Sequence, residues 1–241
     1  MQISTVDIPV PDGVMPTYIA RPDGDAPLPS VILYMDVPGI RPELHRFAQR
    51  IASEGYVCLL PDLYHREGTV RFDLSKGQAE LQRMFAVGSK LTNAMIVRDT
   101  TGLLDWLSHR SFATSRTGVI GYCMSGQFVV SVAGSFPDRI KASASLYGVR
   151  IVTRQDDSPH LLIPHITAEM YFGFAAHDPY VEDYVIPELT DALVKNRIKH
   201  VVEAIPGTEH GFCFPERPAY MHAAAEAVWE TVFDLYQRTL K

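Results

Sequence analysis

Cysteine is scarce in this chain: three residues in 241, at positions 58, 123 and 213. An odd set with no CxxC spacing argues against a disulfide framework and carries no zinc signature. Positive charge is also short. Twenty-two Lys and Arg stand against 28 Asp and Glu, for a net charge of −6. No basic block offers phosphates an attractive surface, which argues against a nucleic-acid partner. No apolar run approaches the roughly 20 residues needed to span a bilayer, so a membrane partner is not expected. The first residues, Met1-Gln2-Ile3-Ser4-Thr5-Val6-Asp7, have neither the basic nor the apolar region of a signal peptide, and a cytoplasmic protein is the simplest reading. The histidines show no HExxH-type clustering, and no metal site is expected. There is no G-x-G-x-x-G segment. Gly121 and Gly126 have P-loop spacing, but Gln127 replaces the lysine that would meet a phosphate. Internal repeats and low-complexity segments are missing as well.

What is present is an alternation of two hydrophobic periods. Ile3 to Val10 and Val14 to Ala20, separated by Pro11-Asp12-Gly13, read as an antiparallel hairpin. Val31 to Met35 and Tyr56 to Leu60 are near-continuous apolar runs, as expected of strands covered on both faces. Pro42 opens a helical pattern through Leu44, Phe47, Ala48 and Ile51, which Gly55 closes. Residues 65 to 90 read as a loop plus a short helix. Helices follow over Met95 to Ser108, from Ser125 to before Pro137, over Val185 to Asn196 and over Pro218 to Leu240. Strands end at Cys123, span Ala142 to Tyr147 and Met170 to Ala175, and run from His200 to Ile205, where Pro206-Gly207 cuts the last. Strands alternating with helices imply an α/β fold: a mostly parallel sheet with helices on both faces. The length and the lack of any composition shift fit one domain over residues 1–241.

The stretch Gly118-Val119-Ile120-Gly121-Tyr122-Cys123-Met124-Ser125-Gly126 is the most informative. An apolar run ends in a small-residue turn and a helical pattern begins at once. A strand–turn–helix with a nucleophile at its apex is the elbow of α/β-hydrolases. The helix directs its positive end at the apex, which favours a thiolate. Asp178 and His210 follow later strands at their C-terminal ends, where sites form in such sheets. The order nucleophile, acid, base is that of the α/β-hydrolases. A thiol needs an imidazole to take its proton, and a carboxylate to fix the imidazole. Asp183 is a second candidate for the acid. An oxyanion needs two N–H donors. Met124 offers one, and the loop after Tyr34-Met35, around Asp36 or Val37, offers the other. Cys58 reads as a buried hydrophobe. Cys213, three residues after His210, reads as packing.

The chain resembles the dienelactone hydrolase family of α/β-hydrolases. The matching segments are Gly121-Tyr122-Cys123-Met124-Ser125-Gly126, Pro61-Asp62-Leu63-Tyr64, the loop holding Asp178, and Glu209-His210-Gly211-Phe212. The resemblance implies a compact, lidless, monomeric α/β-hydrolase fold. It also implies Cys123 as nucleophile, His210 as base, Asp178 as acid, and cleavage of a small ester or lactone with no cofactor. The chain departs from the family pattern at three positions. Ser125 stands where the pattern has glycine. Asp36 stands where a glutamate tunes the resting cysteine. Phe214 stands where an arginine binds the substrate carboxylate. An uncharged or aromatic ester, or a lactone held by another arginine such as Arg83 or Arg150, is then expected. Tyr64, Phe212 and Phe214 are candidates to line an apolar pocket. Two other readings of the elbow are a non-catalytic or redox-sensing protein, and a hydrolase of thioesters or carbon–carbon bonds.

Overall fold

In the computed structural model, every residue but Leu74 is described. Its contacts divide the chain into two compact units, Met1–Ser115 and Arg116–Lys241.

In the first unit, β1 (Gln2–Val10) and β2 (Gly13–Arg21) form the expected hairpin, with Val10 opposite Gly13. β3 (Leu28–Tyr34) and β4 (Val57–Pro61) complete the order β1-β2-β4-β3. β4 runs antiparallel to β2 and parallel to β3. Tyr34 and every residue from Val57 to Leu60 are essentially inaccessible, which is why these strands read as unbroken apolar runs. α1 (Pro42–Ser53) starts on Pro42, whose missing N–H costs nothing at that position. α2 (Gln78–Gly88) is the short helix expected among residues 65 to 90. α3 (Asn93–Ser108) is capped by Thr92, whose hydroxyl accepts the Met95 N–H at 3.2 Å.

In the second unit, β5 (Ala113–Tyr122, entering from the first unit), β6 (Ile140–Leu146), β7 (Glu169–His177) and β8 (His200–Glu209) are parallel neighbours in that order. α4 (Gly126–Ser135) links β5 to β6. β6 is built of small residues, Ala142-Ser143-Ala144-Ser145, and α4 packs closely on it. The Ser143 hydroxyl donates to the Val129 carbonyl at 3.2 Å. Serine in this strand is thus a packing device, not a sign of exposure. α5 (Val185–Lys195) and α6 (His222–Leu240) follow β7 and β8. No helix of the described residues is long and apolar enough to cross a membrane.

Two boundaries differ from expectation by about a helical turn's length of chain, and several others by one to three residues. β8 does not stop at Ile205 but continues through Pro206-Gly207 to Glu209. Gly207, at φ +72°, takes the left-handed step of a bulge, and the register against β7 shifts there. Thr208 pins the bulge: its hydroxyl donates to the Ile205 carbonyl and accepts the Ala176 N–H. The last helix begins at His222, not Pro218. Residues 211 to 221 are tied in successive turns, with the Phe214, Arg217 and Tyr220 amides each donating three residues back, so the helix starts only beyond them.

Candidate active site

β5 leads into the nucleophile candidate, on a strained backbone. Cys123 is a non-glycine at φ +53°, in the left-handed region that L side chains avoid. A 3-10 turn, Cys123–Ser125, joins it to α4. The turn survives because its neighbours lack side chains where space runs out. A Cβ on Gly121 would come 2.5 Å from the Ser125 carbonyl oxygen, and one on Gly126 would overlap the Cα of Gly148. The Gln127 side-chain amide donates to the Met124 carbonyl and closes the turn at 3.1 Å. Val149 N–H donates to the Cys123 carbonyl at 3.1 Å, tying the apex to the loop after β6. Met124 and Ser125 are buried, whereas Cys123 is partly open. Of the three residues in the turn, Cys123 is the one that keeps access to solvent.

Asp178 and His210 meet through strand register. His177 and Glu209, the last residues of β7 and β8, are paired across the bulge. The next residue on each strand is Asp178 and His210, and His210 Nδ1 lies 2.8 Å from Asp178 Oδ2. The other carboxylate oxygen, Oδ1, accepts the Tyr180 N–H at 3.1 Å. Both side chains are mostly buried, at 9% and 3% exposed. A buried carboxylate normally needs a fixed cation. Asp36, Glu43, Asp62, Asp99 and Glu169 all have an arginine within ion-pair reach. Asp178 has an imidazole in that place, a group that can gain and lose a proton.

Two tyrosine rings contact this histidine. Tyr147, at φ +36°, is buried with its ring 5.0 Å from that of His210. Tyr180, in the Asp178 turn, lies 4.8 Å from the same ring and is half exposed. Tyr147 also meets Phe212, Phe214 and Tyr122, the residue before the nucleophile. One aromatic cluster thus packs against both the elbow and the histidine. Phe212 and Phe214 have no exposed surface and sit inside that cluster.

The model of the dienelactone hydrolase family matches residues 15–240. The chain belongs to the dienelactone hydrolase family. A Synechocystis protein named as a carboxymethylenebutenolidase is 25% identical over 245 residues, covering all of this chain and 98% of its own. A Bradyrhizobium protein named as a 2-oxo-3-(5-oxofuran-2-ylidene)propanoate lactonase is 25% identical over 217 residues, covering 88% of this chain and 84% of its own. Among solved structures, a dienelactone hydrolase of Klebsiella pneumoniae superposes with a TM-score of 0.87 at 23% identity, covering 98% of both chains. The likeness places the mostly parallel sheet and its hairpin in the α/β-hydrolase fold.

Against the family pattern, Ser125 costs the elbow nothing. Its backbone is right-handed, at φ −82° and ψ −3°, so glycine is not required there. Of the remaining residues singled out from the sequence, Asp36, Val37, Tyr64 and Arg83 lie in the first unit. The Asp36 carboxylate is held by Arg41 at 2.5 and 3.2 Å. The Val37 carbonyl accepts the buried Tyr64 hydroxyl at 2.6 Å. Arg83 is engaged with Glu80, and its guanidinium lies over the Phe72 ring. In the second unit, Arg150 is exposed at φ +58°, next to the Val149 amide that binds the elbow. Burial pushes the Cys58 and Cys213 thiols well up from their ordinary range, which leaves both as inert packing. Sequence reasoning missed Tyr180. Its signal was local: Asp178-Pro179-Tyr180 is a turn sequence beginning on the candidate acid.

Proposed function

We propose that this member of the dienelactone hydrolase family is a cysteine-dependent hydrolase of a small ester or lactone, with Cys123 as nucleophile, His210 as base and Asp178 as acid. The observation that carries the reading is the buried Asp178–His210 pair at the matched ends of β7 and β8, in the same unit as a strained, solvent-facing Cys123. The names of the relatives support the lactone and ester class.

His210 takes the thiol proton as the Cys123 sulfur attacks the carbonyl carbon. Asp178, bonded to Nδ1, selects the tautomer with Nε2 free and stabilises the imidazolium that forms. The Met124 N–H, first after the nucleophile in the 3-10 turn that leads into α4, stabilises the oxyanion. Collapse breaks the carbon–oxygen bond, and His210 returns its proton to the leaving oxygen. Water, deprotonated by the same histidine, then cleaves the thioester and restores the thiol. Phe212 and Phe214 stand behind the site, holding the wall on which Tyr147 and His210 rest. The reading carries with it a cytoplasmic, monomeric enzyme of one domain that needs no cofactor.

Acyl-thioester trapping tests it. After brief exposure to a panel of aryl esters and lactones, intact mass should rise by one acyl group, mapped to Cys123. Cys123→Ala should lose at least about 10³-fold in kcat, as removal of a nucleophile does. Full turnover by that variant overturns the mechanism. Ready sulfenic acid formation with no acyl adduct for any substrate would favour the redox-sensing reading instead.

A further inference from the structure

The first unit has a cavity of about 360 Å³ between its hairpin and the end of α3. It lies where β3 begins: the carbonyl of Phe112, one of its walls, accepts the Leu28 N–H at 2.9 Å. The loop holding Asp36 and Val37 follows the opposite end of that strand. Strand register builds one side of the cavity. Gln2 pairs with Arg21 and Ser4 with Ile19, so these side chains share a face of the hairpin. Trp106 of α3, with Arg110 and Phe112 just past it, builds the other side. Successive turns fix that stretch: the Arg110 N–H donates to the Leu107 carbonyl, and the Ala113 N–H to that of Arg110.

The cavity combines apolar rings with unneutralised positive charge. The Arg110 guanidinium lies 4.3 Å from the centre of the Trp106 ring, and that of Arg21 lies 4.5 Å from Phe112. The two rings are 6.1 Å apart. Among the described residues, no carboxylate is within ion-pair reach of Arg21 or Arg110. Arg21 donates to two neutral oxygens, of Gln2 and Gly24. The Arg110 guanidinium donates to no described residue, and its Nε is buried. Elsewhere in the chain Arg41, Arg66, Arg83, Arg154 and Arg238 each hold a carboxylate. The end of α3 brings a negative partial charge of about half a unit, which two full positive charges outweigh. We infer that this cavity is a binding site for a small organic anion, a carboxylate carried on an apolar body. The carboxylate accepts from the planar fork of Arg110 and gives the buried Nε the partner that a buried donor needs. The apolar body fills the space beside Trp106, Phe112 and Ile19. The volume sits at the lower end of ligand pockets and suits a small ring system.

Calorimetric titration of the full chain with cinnamate tests the site, against cinnamamide as the uncharged match and acetate as the anion without the body. Cinnamate should bind saturably. The amide should bind about tenfold more weakly, because it lacks the charge that strengthens the bonds to the guanidinium. Acetate should also bind at least about tenfold more weakly, because it buries almost no apolar surface. Arg110→Gln should weaken cinnamate about tenfold. Arg21→Gln, on the hairpin side, should weaken it in the same direction, and circular dichroism checks the fold of both variants. The comparison of the three ligands on the unmutated chain needs no variant. No saturable binding of cinnamate overturns the inference. Equal affinity for the amide overturns it, since charge is then not the anchor, and equal affinity for acetate does so because the apolar walls then select nothing. Full affinity retained in folded Arg110→Gln overturns it too, by placing the acid elsewhere on the protein.

Discussion

Three cysteines in one chain meet two fates, and backbone position decides which. Cys58 lies mid-strand in β4 and Cys213 in the turns after β8, and both are sealed from water. With no charged partner to offset burial, their thiols resist ionisation. Cys123, at the apex of the turn with φ +53°, keeps partial access to solvent. At about pH 8, iodoacetamide should therefore label Cys123 alone in the folded protein, since the thiolate is the reactive form. Peptide mass mapping checks this, with Cys58 and Cys213 labelled only after denaturation. Labelling of all three at one rate in the native state would refute it. The same contrast holds among acids. The buried carboxylates of Asp36, Asp99 and Glu169 are neutralised by guanidinium groups, which never give up their protons. Asp178 instead faces a histidine, so the pair is able to move a proton.

At the scale of elements, the structure holds α3 to the β1–β2 turn with charge. Asp99 on α3 accepts two bonds from Arg66, at 2.8 and 2.6 Å, and lies 3.3 Å from His65. Arg66 reaches on to Asp12 in the hairpin turn, which Arg98 of α3 also pairs. Burial alone would raise the Asp99 carboxyl, but the bonds from His65 and Arg66 outweigh it and hold the group below its ordinary range. A carboxyl depressed by folding adds stability above its unfolded value, near pH 4, and that stability is lost as pH falls through the folded value. Asp99→Ala should cost about 2 kcal/mol at neutral pH, because it removes the buried carboxylate that Arg66 and His65 share and leaves the guanidinium only its half-exposed bonds to Asp12. It should also flatten the acid limb of the stability curve. Urea melts between about pH 3 and 7 check both, and an unchanged acid limb would count against the account.

None of this network was legible in the sequence. Asp12, His65, Arg66 and Asp99 are polar residues in segments that read as turn, loop and helix surface, and only three-dimensional packing brings them together. The strands were legible because buried parallel strands are apolar without interruption, and the hairpin because Pro-Asp-Gly marks its turn. β8 was read too short, because proline and glycine signal a break locally. A bulge held by Thr208 and paired to β7 overrode that signal. The elbow, Asp178 and His210 were readable since each follows a strand end. Tyr180 was not, because its importance lies in the histidine it touches across 30 residues of chain.

Over the whole molecule, charge is arranged so that little of it is available to a metal. Asp36, Glu43, Asp62, Asp99 and Glu169, the buried acids, are each within ion-pair reach of an arginine. Among the described residues, no three His, Cys, Asp or Glu side chains gather as a metal site requires. The Asp178–His210 pair is already matched, one carboxylate oxygen to the imidazole and the other to the Tyr180 amide. In the proposed reaction the chain's own groups perform attack, proton transfer and oxyanion stabilisation. Dialysis against EDTA should then leave kcat/KM for phenyl acetate unchanged, and added zinc should not raise it. In the proposed triad, where the Cys123 thiol works with the His210 imidazole, zinc should inhibit instead, because that pair would offer the ion two of its preferred ligands. Steady-state rates before and after dialysis, with and without zinc, decide the matter. Activity lost to EDTA and restored by a metal would show that a group outside this arrangement carries the chemistry.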